Sequence, residues 1–378
     1  MSTPVLVLNT GSSSVKFAVY DIAGADTIVT NGSCPRSLGS ADGAVDRIID
    51  QVAASGVLGD LAAVGHRVVH GGTRFAGPTW ITSETERALR ELIPLAPDHL
   101  PYALDAVDVV SRRCPGIPQA ASFDTTFHRG MPAVARLFGL PRALADAGVI
   151  RYGFHGLSYE SIVAELIRIG GLGRRTIVAH LGSGASLVAL RDGKSVDTTM
   201  GMTPAGGVVM GTRSGDLDPG VLLYLLRHEG LTPDALNRVV NETGGLAGLS
   251  GVSGDIRALL AEAPTNPRAA EAIDVFCYSV RKAIGALAAA VGGVDTLVFT
   301  AGIGEHSAEV RWRIADGLGW LGIHLDATSN AEHAPVISTT DAPVTVRVIA
   351  TREELMIARH VRSLLVSATT TSGSAPWS

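Results

Sequence analysis

The 378-residue chain has few cysteines, few aromatic residues and little charge. Its three cysteines, Cys34, Cys114 and Cys277, lie too far apart for a disulfide framework or a zinc site. Reduced thiols of a cytoplasmic protein are the expectation. No lysine or arginine run stands out and the formal net charge is -5, so nucleic acid is not an expected partner. Long hydrophobic runs are also missing. The most apolar long stretch, Ala283 to Phe299, is broken by Gly292-Gly293 and Asp295, and reads as a buried helix running into a strand. Near the amino terminus, Val5-Leu6-Val7-Leu8 follows no basic region and is too short for a secretory core. A membrane is therefore not an expected partner. Several chemical signatures are absent: G-x-x-x-x-G-K-S/T, G-x-G-x-x-G after a strand, G-x-S-x-G, and H-E-x-x-H. A Walker-type nucleotide site, a dinucleotide fingerprint, a hydrolase elbow and a zinc-protease helix are thereby excluded.

What is present is a composition of 46% hydrophobic and 18% charged residues, which supports a sizeable core, in a length that suits two domains. Val5 to Leu8 reads as a strand, Asn9 to Ser14 as a tight turn, and Val15, Phe17 and Val19 alternate along a return strand. The pattern recurs at Ile177-Val178-Ala179, Gly182-Ser183-Gly184 and Leu187 to Leu190. Two such units, one opening each half, point to a duplicated domain or to a coincidence of two hairpins. Helices are expected from Glu84 to Leu95 behind a Ser83 cap, after Thr232-Pro233, from Ala269 to Val291, and from Glu353 to Val366. The apolar Ala269–Val291 helix belongs either to the core or to a subunit interface. Strands alternating with helices give an α/β class. The expected domains are 1–148, with the 353–366 helix as a candidate to complete it, and 149–352, followed by a frayed tail at 367–378.

Three small-residue turns suit phosphate, because glycine and serine let backbone N–H groups and hydroxyls converge on anionic oxygens. They are Asn9 to Lys16, His180 to Ser186, and Ala301 to Glu305; the last follows the strand Thr296 to Thr300 and precedes a helix expected near Ser307. Together they favour a nucleotide binder without a Walker sequence. Arg67 and Arg213 sit beside glycine turns, where an arginine either forks onto an anionic group or closes a salt bridge. Asp124, flanked by Phe123 and Phe127, and His155, between Gly153 and Gly156, are either shielded reactive groups or buried structural ones. His66 and His70 read as hydrogen-bonding histidines on a strand rather than a metal pair.

Taken in order, these segments closely resemble the acetate kinase family, of the acetate and sugar kinase, chaperone ATPase and actin superfamily. The likeness runs from Val5 to Arg359. It rests on Asn9 to Lys16, Gly65 to Gly72, Phe123 to His128, Tyr152 to Gly156, His180 to Gly184, Met210 to Arg213, Gly254 to Arg257, Thr300 to Glu305 and Arg352 to Glu354. The resemblance implies two actin-like (ribonuclease H-like) domains from a duplicated βββαβαβα unit, with a cleft between them. It also implies a homodimer, Mg2+ (or Mn2+), ATP or ADP, and acetate or acetyl phosphate as substrates. Asn9 and Glu353 would hold the metal. Lys16 and Ser12 would contact phosphates, and His180, Leu181, Gly182, Ser183, Gly184, Asp255, Ile256, Arg257, Gly302, Ile303, Gly304, Glu305 and His306 would form the rest of the nucleotide site. Arg67 would bind the substrate carboxylate, with His99 near it and Val69, Leu100 and Pro204 as walls for its methyl. Asp124, His155 and Arg213 would serve phosphoryl transfer. Propionate or butyrate kinase is the neighbouring reading, and an ATP-driven switch of the actin type the distant one. Ser183, His306 and Arg352 depart from the family's usual asparagines, and the Ser33–Asp60 segment is short for the family.

Overall fold

The computed structural model describes residues 2–11, 14–35 and 42–371. Packing gathers the chain into two units: 1–127, 155–161 and 352–378 in the first, and 128–154 with 162–351 in the second. Residues 128–148, read from the sequence as the end of the first domain, thus pack with the second unit.

The first unit is built on β1 (Pro4–Thr10), β2 (Ser14–Asp21), β3 (Thr27–Pro35), β4 (Ala63–Val68), β5 (Thr79–Trp80) and β6 (Gln119–Phe123). Their order is β3-β2-β1-β4-β6-β5. β1, β2 and β3 form an antiparallel meander, whereas β1, β4 and β6 run parallel. The unbroken Val5–Leu8 run follows from that central place, because β1 is covered on both faces. Leu6 and Leu8 pack with the helices Asp42–Ala54 and Leu100–Arg113. Val5 and Val7 pack instead with Leu355, Ile357 and Val361 of the carboxy-terminal helix Glu353–Thr371. That helix lies so close to β4 that a Cβ on Gly65 would sit 2.6 Å from Ile357 Cγ2. Only glycine fits there without moving the helix.

The second unit repeats the plan with β7 (Arg175–Leu181), β8 (Ala185–Arg191), β9 (Lys194–Thr198), β10 (Thr296–Thr300) and β11 (Thr345–Val348), in the order β11-β10-β7-β8-β9. β7–β9 form an antiparallel meander, and β7, β10 and β11 are parallel. The series β3-β2-β1-β4-β6 and β9-β8-β7-β10-β11 match in order and sense. Both meanders also shift register between their second and third strands, at Val19/Tyr20 and Ala189/Leu190. The duplication is therefore real, and the fold is a mixed α/β one.

Helix Pro267–Val291 buries Ile273, Phe276, Val280, Ile284 and Leu287, which settles its apolar face as core. Asn266 caps its first turn and Gly292, at φ 82°, closes it. The expected helix behind Ser83 differs in detail. Thr82 is the cap, accepting from Thr85 N, and the helix stops at Arg90 ahead of a short 3-10 turn, Ile93–Leu95, that contains Pro94. Glu86 does not reach back to the cap; it pairs with Arg90 one turn on. At the other end, the terminal helix continues through Ser367 to Thr371.

Candidate functional site

In the first unit, four elements bring charged and polar side chains to one buried cluster. β1 carries Asn9, β4 carries Arg67, Asp124 follows β6, and Glu353 and Glu354 open the terminal helix. Arg67 forks onto Asp124, with Nε 3.1 Å from Oδ1 and Nη2 2.6 Å from Oδ2. Its Nη1 donates to Asn9 Oδ1 at 3.0 Å and lies 3.2 Å from Glu353 Oε2. Asn9 Nδ2 in turn donates to Glu353 Oε2 and Glu354 Oε1, at 3.0 and 2.8 Å. Four of these, Asn9, Arg67, Asp124 and Glu353, are candidates named from the sequence that the structure brings together; Glu354 is not, its one signal being its place beside Glu353.

The electrostatics of this cluster are those of a buried ion pair. Asp124 is 1% exposed, and burial pushes its carboxyl above the usual range against the opposing pull of Arg67. Burial alone would lower the Arg67 pKa, but Asp124 and Glu353 outweigh it and hold the guanidinium more firmly charged than usual. The His155 backbone N–H adds a hydrogen bond to the Asp124 carboxylate. His155 adopts φ 57°, a left-handed conformation that costs a non-glycine residue roughly 1–3 kcal/mol. Gly156 N donates to Asp124 O at 3.0 Å, so the 155–156 step is tied to Asp124 twice.

Around this centre the remaining first-unit candidates take varied places. Lys16 is exposed on β2, opposite Asn9 in the β1–β2 register. Val69 and Leu100 are buried, Leu100 within the cluster of Val68, Phe75, Leu89 and Phe123. His99 is half-buried at the start of helix Leu100–Arg113. Ser12 lies outside the described residues. His66 bonds Gln119 Oε1 through Nε2 at 2.7 Å, and His70 Nδ1 accepts from Gly72 N, so both are hydrogen-bonding histidines as expected.

In the second unit, four segments converge at the ends of β7 and β10. The β7–β8 turn supplies His180 to Gly184, and Thr300 pairs with His180 across the sheet. Gly211 N donates to Ser183 O at 3.0 Å, and a Cβ on Gly254 would lie 2.7 Å from Gly211 O. The Ser183, Gly211 and Gly254 backbones are thus in direct contact. Asp255 caps helix Ile256–Glu262 and pairs with Arg257, which lowers its pKa through that hydrogen bond first. Ile256 is buried, while Asp255 and Arg257 face solvent. Arg213 Nη1 donates to Pro204 O at 2.8 Å, joining two further candidates.

The Ala301–Glu305 segment is not a loop before a helix: it is itself the helix Ala301–His306. Ser307 caps the next helix, Ala308–Ala315, close to where a start was expected. Ala301 sits at φ 65°, and its N–H donates to Glu305 Oε1 at 2.8 Å. Glu305 Oε1 also accepts from Thr351 N, so its carboxylate ties the start of its own helix to the backbone at Thr351. Gly302 and His306 are exposed, Ile303 half-buried and Gly304 buried. Sequence reading missed Arg311, which is fully buried and donates to Gly304 O and Glu305 O, both at 2.9 Å, and to Asn330. An arginine among the apolar positions of a short helix was its sole signal.

Two mixed sheets with one repeated strand order, each placing a polar small-residue turn after its first strand, define an actin-like ATPase fold. The chain belongs to the acetokinase family, whose model matches residues 35–359. It is 44% identical over 393 residues to an acetate kinase of Rhodopseudomonas palustris, covering 96% of this chain and 98% of that one. An acetate kinase of Nitrobacter hamburgensis is also 44% identical, over 396 residues, 97% of this chain and 98% of the relative. Among solved structures, Porphyromonas gingivalis acetate kinase aligns with a TM-score of 0.85 at 36% identity, covering 96% of this chain and 100% of that chain. A propionate kinase from Francisella tularensis aligns with a TM-score of 0.88 at 32% identity, covering 95% and 98%.

Proposed function

We propose that the protein transfers the γ-phosphoryl group of ATP to acetate, reversibly, giving acetyl phosphate and ADP. The observation that carries this reading is the buried Arg67–Asp124–Asn9–Glu353 cluster in a chain of the acetokinase family. An actin-type switch needs no buried arginine held in one plane by a carboxylate, as Asp124 holds Arg67. The propionate reading is kept alive by the likeness to the Francisella enzyme. One methylene shifts selectivity by only about 1–3 kcal/mol in an apolar pocket, so the two acids are close competitors.

The roles follow from charge. Acetate is already an anionic nucleophile, so activation by a base matters less than offsetting its repulsion from the phosphates. Arg67 binds the acetate carboxylate, and Asp124 fixes the plane of the guanidinium. Arg213 and His155 stabilise the transferring phosphoryl group. Lys16, the His180–Gly184 turn, Asp255 to Arg257, and Gly302 to His306 bind ATP. In-line attack by one acetate oxygen forms the new O–P bond as the bond to the β-phosphate oxygen breaks, and the electron pair leaves with ADP. Glu353 and Glu354 each bring a carboxylate oxygen to Asn9 Nδ2, and such a pair suits Mg2+, a cation that takes one or two carboxylates besides phosphates and water; Asn9 would add its own oxygen with its amide turned from Arg67 toward them. When bound, that metal would neutralise phosphate charge.

The need for ATP supports a cytoplasmic setting; no described helix is long and apolar enough to cross a membrane. A homodimer is proposed on the helices Pro219–Arg227 and Pro233–Asn241. Neither has a buried residue, and Leu223 and Tyr224 are 47% and 53% exposed. The functional test is hydroxylamine trapping of acyl phosphate with acetate, propionate and butyrate. Acetate should give the highest kcat/KM; a clear propionate preference would overturn the substrate assignment.

A further inference from the structure

The carboxy-terminal helix carries a second polar residue on the face that bears Glu353. His360 lies seven residues on, two turns along the same stripe. Its Nε2 is 3.0 Å from Glu160 Oε1 and its Nδ1 3.1 Å from Ser122 Oγ. One ring nitrogen thus faces the Glu160 carboxylate and the other the serine hydroxyl, so the imidazole bridges the two. Ser122 is completely buried, and the side chains of His360 and Glu160 are 18% and 41% exposed.

Each partner stands next to a residue of the acyl site. Ser122 is on β6, two residues before Asp124. Glu160 is in the 155–161 segment, which begins with the strained His155 that donates to Asp124. His360 shares its helix with Glu353 and Glu354. A second tie runs beside the first, since Ser161 Oγ accepts from Arg352 N at 3.1 Å. We propose that His360 is a positioning residue, its imidazole joining the three segments that carry Asp124, His155 and Glu353. This role rests on the acetate phosphotransfer reading and extends it to residues outside the substrate contacts.

The two candidate roles of such a bridge differ in size. A partly exposed histidine–carboxylate pair adds little to overall stability. Misplacing reacting groups by about 1 Å costs on the order of 10²-fold in rate. His360→Ala should therefore leave the chain folded, with its melting temperature nearly unchanged. It should lower kcat/KM for acetate by about tenfold or more while the ATP KM at saturating Mg2+ stays put, because the proposed ATP contacts lie on other segments. Glu160→Ala should reproduce that loss, and Glu160→Gln, which keeps an oxygen acceptor for Nε2, should restore most of the activity. Glu160 is partly exposed, so its variants keep the test open if His360→Ala folds poorly. Losses that only track the folded fraction, or that change acetate and ATP parameters equally, would overturn the role. A wild-type chain that leaves acetate untouched would overturn the functional reading and this role with it, whereas an active wild type with unaffected variants would overturn this role alone.

Discussion

Arg67→Lys and Arg67→Ala should differ in stability yet agree in their loss of activity. In the wild type, three guanidinium nitrogens face four oxygens of Asp124, Asn9 and Glu353 at 2.6–3.2 Å. The Arg67 side chain is 14% exposed and that of Asp124 1%, so solvent screens the pair weakly. Alanine leaves the Asp124 carboxylate buried without its cation, which costs about 3–5 kcal/mol. Lysine keeps the charge but has one nitrogen and no fork. It should lose one or two charge-assisted hydrogen bonds at about 1.5–3 kcal/mol each, with part regained by the ammonium's remaining contact. Urea unfolding should thus rank wild type above Arg67→Lys above Arg67→Ala. In the hydroxamate assay both variants should lose about 10²–10³-fold in kcat/KM for acetate, the scale of removing one oriented charge-stabilising donor. An Arg67→Ala chain as stable as wild type would refute the buried-pair argument. Retained turnover of acetate by that variant would refute the carboxylate role.

Three further outcomes follow from other parts of the chain. Burial lowers His66 and His128 to about 4, so both stay neutral in the folded state while the unfolded chain protonates near 6.5. Their contribution is intact above that upper value and is lost as pH falls toward the lower one, at about 1.4 kcal/mol per pH unit per histidine. Urea unfolding between those limits should show the slope, and His66→Gln or His128→Gln should reduce it; a flat profile contradicts the assignment. Gly65→Val puts branched carbons where a Cβ already lies 2.6 Å from Ile357 and 2.9 Å from Val361, and should cost about 1–3 kcal/mol. Because the displaced helix carries Glu353, its apparent Mg2+ requirement should rise as well, measurable by metal titration of activity. Leu223→Glu on the exposed helix pair should halve the sedimenting mass if that face joins two copies; an unchanged mass would remove the interface.

Much of this architecture is legible in the chain because β1 and β7 are covered on both faces and read as unbroken apolar runs. β3 could not be read that way, since all but Cys34 of its residues are exposed or half-buried. The short β11 offers too little alternation to identify. The union of 155–161 and 352–371 with the first unit depends on contacts far apart in the chain, such as His360 with Glu160 across 200 residues and Asn9 with Glu353 across 344. Local periodicity carries no trace of those. Among the candidate site residues, the ones in polar turns could be named from the sequence, whereas Glu354, Arg311 and His360 sit inside ordinary helical patterns and gain meaning only from what lies across from them. Glu305 shows the converse, a motif residue whose carboxylate accepts from the backbone N–H groups of Ala301 and Thr351.

The central claim is that an acetate oxygen itself attacks the γ-phosphorus of ATP. 31P NMR of the purified protein with ATP, Mg2+ and acetate labelled with 18O in its carboxyl group tests it most directly. The account predicts ADP and an acetyl phosphate signal shifted by one phosphorus-bonded 18O, the bridging atom derived from acetate. ADP with unlabelled inorganic phosphate and no acetyl phosphate would contradict it.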